Sequence, residues 1–249
     1  MALEPLSESR VPLNRHKPMP KSLLLMFDLD GTLTDSMGVD SDAFAAALRQ
    51  WLGAAEVDEN WGAYRQHSDR GIAIEAFERR HFRAPLECEL QEFQDIYANA
   101  LESLLRAAPG RCQPLPGTVS LVAALEDHQD FAVGIATGSF ERAARAKIRV
   151  AKLQLDHWPR ATSDDAPGRV EFMKICLARA ETANGKRFKR VVYVGDGVWD
   201  ANACRQLGWP LVGIGLGAHA DALTSAGAAV VLPHYPEPHT FLEAVRTAV

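Results

Sequence analysis

Leu23-Leu24-Leu25-Met26-Phe27-Asp28-Leu29-Asp30-Gly31-Thr32-Leu33-Thr34-Asp35 is the stretch on which the reading of this chain turns. Five consecutive apolar residues read as a strand covered on both faces, as strands are in parallel sheets. The strand runs into two acids, one residue apart, and then a Gly-Thr turn. In parallel α/β sheets ligands bind beyond the carboxyl ends of the strands, which is where these acids fall. Asp-Gly and Thr-Asp are also ordinary turn chemistry, so this stretch alone leaves a site and a plain turn both open.

Similar apolar runs follow at Phe131 to Ala136, Val191 to Val194, Leu211 to Ile214 and Ala228 to Leu232, with a weaker one at Ala161-Thr162. Helical patterns lie between them, over Val119 to Glu126, Phe140 to Arg149, Val170 to Ala183, Ala201 to Leu207 and from Thr240 onward. This alternation predicts an α/β fold, a doubly wound parallel sheet with helices on both faces. Between Phe27 and Phe131 only helical periodicity occurs: Phe44, Ala47, Leu48 and Trp51, then Ile72, Ala76 and Phe77, then Leu90, Phe93, Tyr97 and Leu101. A structureless loop of that length does not suit a compact domain. The expected organisation is a poorly ordered polar arm over 1–20, a core over 21–36 and 113–249, and an all-helical insertion over 37–112. Linkers are expected near Ser36–Asp40 and Gln113–Pro116.

The chain has 249 residues, 47% hydrophobic, and a formal net charge of −5. That length supports a substantial core, and the acidic balance argues against a nucleic-acid partner. The basic run Lys186, Arg187, Lys189 and Arg190 reads as a solvated loop before a strand. No apolar run approaches the roughly 18 residues of a membrane span, and the first 21 residues have no apolar core for a secretory signal. Cys88, Cys112, Cys176 and Cys204 form no close pair and read as reduced core residues, consistent with a cytoplasmic location. Nothing in the sequence fixes an oligomeric state.

Two further segments carry possible chemistry. Gly195-Asp196-Gly197-Val198-Trp199-Asp200 again places acids after an apolar strand. Clustered carboxylates repel unless a cation is present, and Mg²⁺ characteristically takes one or two of them with phosphate and water. The alternative is a turn in which Asp200 caps the next helix. Ile135-Ala136-Thr137-Gly138-Ser139 ends a strand and opens a helix, a seat for phosphate or a simple N-cap at Ser139.

In this order, Asp-x-Asp-Gly-Thr, Thr-Gly-Ser, a basic residue and Gly-Asp-x-x-x-Asp, the chain resembles the haloacid dehalogenase superfamily from Met26 to Gly215. The helical insertion resembles the cap of its small-substrate members. The resemblance implies a phosphatase acting on a small phosphorylated metabolite. Asp28 would be the nucleophile that forms an aspartyl phosphate, and Asp30 the acid and base. Mg²⁺ would be held by Asp28, the Asp30 carbonyl, Asp196 and Asp200. Thr137 and Gly138 would hold the phosphoryl group. The third motif departs from the pattern, because an Arg stands where a Lys is usual. Arg169 holds the best position and Lys174 the second, with Asp164 and Asp165 read as caps of that helix. In the insertion, His67, Asp69, Arg70 and Gly71 would line a loop over the substrate. Trp199 and Trp209 read as packing groups. His157, His219, His234 and His239 read as surface groups. An acid at Asp30 disfavours dehalogenation and phosphonate cleavage. A sugar-phosphate mutase of the same superfamily and a non-catalytic binding protein on this fold remain the alternatives.

Overall fold

A computed structural model describes residues 21–126 and 128–248, and the arm expected over 1–20 lies outside them. The apolar run forms β1 (Leu23–Phe27). A two-residue strand, β2 (Thr34–Asp35), then leads into the helices α1 (Met37–Leu52), α2 (Asp69–His81) and α3 (Glu87–Ala107). The chain returns through β3 (Gln113–Pro114), which pairs antiparallel with β2. It continues as α4 (Thr118–Glu126), β4 (Phe131–Ala136), α5 (Glu141–Val150), β5 (Arg160–Ala161) and α6 (Arg169–Asn184). The last part is β6 (Arg190–Gly195), α7 (Val198–Leu207), β7 (Leu211–Ile214), α8 (Ala218–Ala226), β8 (Val230–Leu232) and α9 (Pro238–Thr247).

The main sheet runs β5-β4-β1-β6-β7-β8, parallel throughout. β1 is central, with Leu25 beside Val133 of β4 and Val192 of β6. Alternate side chains leave a strand on opposite faces. Leu24 and Met26 accordingly pack with Phe172, Met173 and Cys176 of α6 and Cys204 of α7, whereas Leu25 and Phe27 join the opposite core with Leu121, Phe131 and Phe241. That second core is continuous with the apolar faces of α1, α2 and α3.

The insertion is helical, as its periodicity predicts. Its aromatic centre is Phe93, fully buried, with Phe44 at 5.2 Å, Trp51 at 4.9 Å and Phe140 of the core at 6.2 Å between ring centroids. The expected linker Ser36–Asp40 is helical from Met37 onward; the passage between core and insertion is the short β2–β3 pair instead. Of the four cysteines, all unpaired, Cys88 is exposed and does not belong to the core. Asp164 and Asp165 do not cap α6, whose N-cap is Gly168; Asp164 accepts from Glu141 N at the start of α5 (2.6 Å), and Asp165 pairs with Arg179 (2.6 Å). Among the described residues no helix is long and apolar enough to cross a membrane.

Removing the ring at the centre of the insertion leaves a cavity that its aromatic neighbours close only in part. Phe93→Ala is expected to cost about 3–5 kcal/mol, read from urea denaturation midpoints; a loss below about 1 kcal/mol would contradict the packing described.

Candidate active site

β1, β4 and β6 end side by side, so the residues that follow them converge. Asp28 directly follows β1: its N–H donates to Val194 O (2.9 Å) and its Oδ1 accepts from Leu29 N (2.8 Å). Gly31, at φ +72°, makes the turn that returns the chain, and a Cβ there would stand 2.2 Å from Asp196 Oδ2. Asp196 follows β6 and accepts from Thr32 Oγ1 (3.2 Å). Asp200 lies in the first turn of α7. Its Oδ2 accepts from Gly197 N (2.9 Å) and its Oδ1 from Arg169 Nη1 (2.7 Å), so it is both helix cap and ion-pair partner.

Asp28, Asp196 and Asp200 each offer a carboxylate oxygen within 4.8 Å of the others. All three are buried, and burial raises their pKa values, with repulsion between the carboxylates adding to it at Asp28 and Asp196. Asp28 is pushed up to about 7 by burial, against the pull of Arg169 and with the push of Asp200 and Asp30. Asp196 is driven well above the usual range by burial and by the charges of Asp28 and Asp200. Three hard oxygen donors that cannot comfortably share their charges fit a divalent cation.

Arg169 is at the head of α6, and the structure brings it rather than Lys174 to the site; Lys174 is exposed. Its Nη1 stands 3.4 Å from Asp28 Oδ2, and its Nη2 donates to His67 O (3.0 Å). The buried Nε has no partner among the described residues. Thr137 follows β4 and its Oγ1 accepts from Ser139 N (3.2 Å), leaving the hydroxyl proton to donate. Thr137 and Gly138 line the same cavity of about 140 Å³ as Asp28, Arg169 and Asp196.

Asp30 is turned to a different set of partners. Its Oδ2 accepts from Lys147 Nζ (2.6 Å) and Ser139 Oγ (2.7 Å), and its Oδ1 from Ser36 Oγ. Burial alone would raise this carboxyl, but the Lys147 ammonium and the two hydroxyls outweigh it and hold the group below the usual range. Ser139 is thus a partner of Asp30 and not an N-cap, since α5 is capped at Phe140. Lys147 also donates to Asp40 Oδ1 (2.7 Å) and is completely buried. Asp40 in turn accepts from Tyr97 Oη (2.6 Å).

Lys147 and Asp40 were not among the expected site residues. The signal for Lys147 was available, because it shares a helix face with the buried Ala143 and Ala144 three and four residues before it. Asp40 likewise precedes the buried Ala43 and Phe44 at the same spacing.

Of the expected insertion residues, His67 and Asp69 line the cavity, and His67 is stacked on Trp199 at 5.2 Å between ring centroids. Arg70 and Gly71 are in the first turn of α2, not in a loop: Arg70 pairs with Glu87 (2.9 Å) and Gly71 N donates to the N-cap Ser68 Oγ (3.1 Å). Neither lines the cavity. Trp199 therefore stands at the cavity wall. The four histidines read as surface groups are exposed. The segment around Ser68 is bound to the core: Ser68 Oγ donates to Pro167 O (2.6 Å), Asp69 N to Gly138 O (2.8 Å), and Phe140 N to Asp69 Oδ2 (2.9 Å).

Residues 23–208 match the model of the haloacid dehalogenase-like hydrolase family. A phosphoglycolate phosphatase of Mesorhizobium japonicum is 24% identical over 215 residues, 85% of this chain and 91% of that protein. A phosphonoacetaldehyde hydrolase of Bacillus cytotoxicus is 29% identical over 150 residues, 59% of this chain and 55% of that protein. The fold is shared with the crystal structure of a hydrolase from Pseudomonas syringae, at a TM-score of 0.66 and 21% identity over 91% of this chain and 98% of that one.

Lys147→Met leaves Asp30 and Asp40 buried without their cation. Breaking a buried pair in this way is expected to cost about 3–5 kcal/mol near neutral pH. Asp30, with its pKa lowered on folding, contributes stability above its unfolded value of about 3.9 and loses it as pH falls through the lowered value. The deficit of the variant should therefore shrink in acid; denaturation midpoints with EDTA at pH 7 and pH 3.5 that differ from the parent equally would contradict this.

Proposed function

Because the chain belongs to the haloacid dehalogenase-like hydrolases, we propose that it is a Mg²⁺-dependent phosphatase that cleaves a small phosphomonoester through an aspartyl phosphate on Asp28. The observation that carries this reading is the trio of buried carboxylates, Asp28, Asp196 and Asp200, gathered within 4.8 Å beside the Arg169 guanidinium. Such a group has little use in a purely structural core, where each unpaired charge is a cost.

Asp28 Oδ2 is the nucleophile, with Oδ1 fixed by the Leu29 N–H so that the carboxylate keeps one orientation. It attacks phosphorus as the ester P–O bond breaks, and the leaving oxygen takes a proton from Asp30. Water then attacks the aspartyl phosphate and gives its proton to Asp30, which releases inorganic phosphate and restores Asp28. The Asp30 described above, held by Lys147 and two hydroxyls, corresponds to the unprotonated form that accepts this proton. Thr137 Oγ1 and Arg169, which both line the cavity, orient the phosphoryl oxygens. Phosphoryl transfer depends mainly on such positioning and on charge neutralisation.

Asp28, Asp196 and the Asp30 carbonyl would hold Mg²⁺, with Asp200, already bound to Arg169, contributing through its charge or through water. The bound ion would neutralise the gathered carboxylates and the phosphoryl group. His67 to Asp69 hold the insertion against the core, and we assign residues 37–112 the role of a cap that shuts bulk water out of this cavity. An acid at Asp30 suits departure of an alkoxide, which favours ester hydrolysis over cleavage of a phosphonate.

Asp28→Asn should abolish Mg²⁺-dependent phosphate release from p-nitrophenyl phosphate while keeping the parent's circular dichroism; turnover above about 1% of the parent would remove Asp28 as nucleophile. Asp196→Asn should raise the Mg²⁺ concentration needed for half-maximal activity by about tenfold or more. A titration that superimposes on the parent's would take Asp196 out of the metal site.

A further inference from the structure

The cavity has two unlike halves. Its core half is formed by Asp28, Thr137, Arg169 and Asp196, the groups assigned to phosphoryl and metal. Its insertion half is walled by Met37, Phe44, Trp61 and Ile72, with Asp40 and Asp69 as the charged groups there. Among the described residues, Lys and Arg are missing from the lining of this half. Residues 37–112 contain no lysine and eight arginines. None of the eight lines the cavity, and seven pair with carboxylates elsewhere. Arg169, the guanidinium that does reach the cavity, is already shared among Asp28, Asp200 and the His67 carbonyl. Lys147 stands behind Asp30 and Asp40, committed to both.

The part of a substrate that becomes the leaving alcohol must lie in the insertion half. A second anionic group placed there would meet Asp40 and Asp69 and no answering cation, and a buried anion without a partner is strongly disfavoured. The phosphoryl dianion and a divalent cation offset one another, so their arrival does not reverse the local sign. The rings of Phe44 and Trp61 are neutral to an alkyl chain and attractive to an ammonium.

We infer that the substrate is the phosphomonoester of a compact alcohol that carries no second negative charge, its carbon skeleton lying against Phe44, Trp61 and Ile72. This rests on the phosphatase reading and narrows it. It sets the chain apart from enzymes for phosphorylated acids and bisphosphates, although a phosphoglycolate phosphatase is among its relatives.

The test is kcat/KM of the full chain with Mg²⁺ on three esters matched in size and unlike in charge: propyl phosphate, phosphoethanolamine and phosphoglycolate. p-Nitrophenyl phosphate serves as the generic control. Phosphoethanolamine should equal or exceed propyl phosphate, and phosphoglycolate should fall below both by about tenfold or more. Phosphoglycolate turned over as well as propyl phosphate would overturn the inference. So would phosphoethanolamine as poor as phosphoglycolate, since the sign of the charge would then not decide. If the control alone is hydrolysed, the compact-alcohol inference fails and the phosphatase reading stands. If no ester is hydrolysed, that reading fails and this one with it. Met37 is half exposed at the start of α1 and lines the cavity, so Met37→Arg adds a cation at small risk to the fold. It should raise phosphoglycolate relative to propyl phosphate several-fold, and an unchanged ratio would count against the charge argument.

Discussion

Negative charge held out of water is the constraint on which the rest of this structure depends. Six carboxylates, of Asp28, Asp30, Asp40, Asp69, Asp196 and Asp200, crowd the carboxyl end of the sheet, answered by two largely buried cations. Charges removed from water are tolerated only with partners, so the cations divide the acids between them. Lys147 gathers Asp30 and Asp40, and Arg169 gathers Asp28 and Asp200. Asp69 and Asp196 are left with hydrogen bonds from Phe140 N and Thr32 Oγ1, and both are driven well above the usual carboxylate range, by burial first and neighbouring acids second. These two carboxyls thus stand without a cation of their own, Asp196 beside Asp28 and Asp69 beside Asp40.

The same two cations join the insertion to the core. Lys147 belongs to α5 and reaches Asp40 of α1; Arg169 belongs to α6 and reaches the carbonyl of His67 just before α2. Charge compensation and the position of the insertion are therefore one event. Moving the helices away from the sheet would take Asp40 from Lys147 and His67 from Arg169 together. The covalent path between the two parts is the two-residue pair β2–β3, too short to hold them rigidly on its own. The polar contacts of residues 67–69 with Arg169, Pro167, Gly138 and Phe140 add to the apolar contact of Phe93 with Phe140 and to the Arg142–Glu102 ion pair between α5 and α3.

What the sequence made legible follows the same physics. β1, β4 and β7 match their apolar runs to the residue, because a strand buried on both faces admits no polar interruption. β8 starts at Val230 and not at Ala228, and α8, with Leu223 its one buried residue, had too thin an apolar pattern to be anticipated. The acids at strand ends could be read because that is where α/β sheets build sites. Asp69 was read as part of a loop because the first turn of α2 is Asp-Arg-Gly; the helix start was signalled only by Ser68 as its N-cap. Lys147 and Asp40 were overlooked for one reason. A charged residue on a helix is normally solvated, and only its place on the apolar stripe argues otherwise.

The arginine at the third motif, where the resemblance makes a lysine usual, is explained by the number and arrangement of its acceptors. Arg169 faces Asp28, Asp200, the Tyr193 hydroxyl and the His67 carbonyl, with Nη1 serving the first three and Nη2 the last. A planar fork reaches both the cluster at Nη1 and the separate His67 carbonyl at Nη2, and an ammonium, with a single nitrogen, does not. Lys147 faces the opposite case, with Asp30, Asp40 and Ser139 all 2.6–2.7 Å from a single nitrogen. Each cation is therefore matched to its site. The fork ties Asp28 and Asp200 to the insertion, and the point charge concentrates on Asp30 and Asp40. Exchanging the two residue types would conserve charge and lose both arrangements.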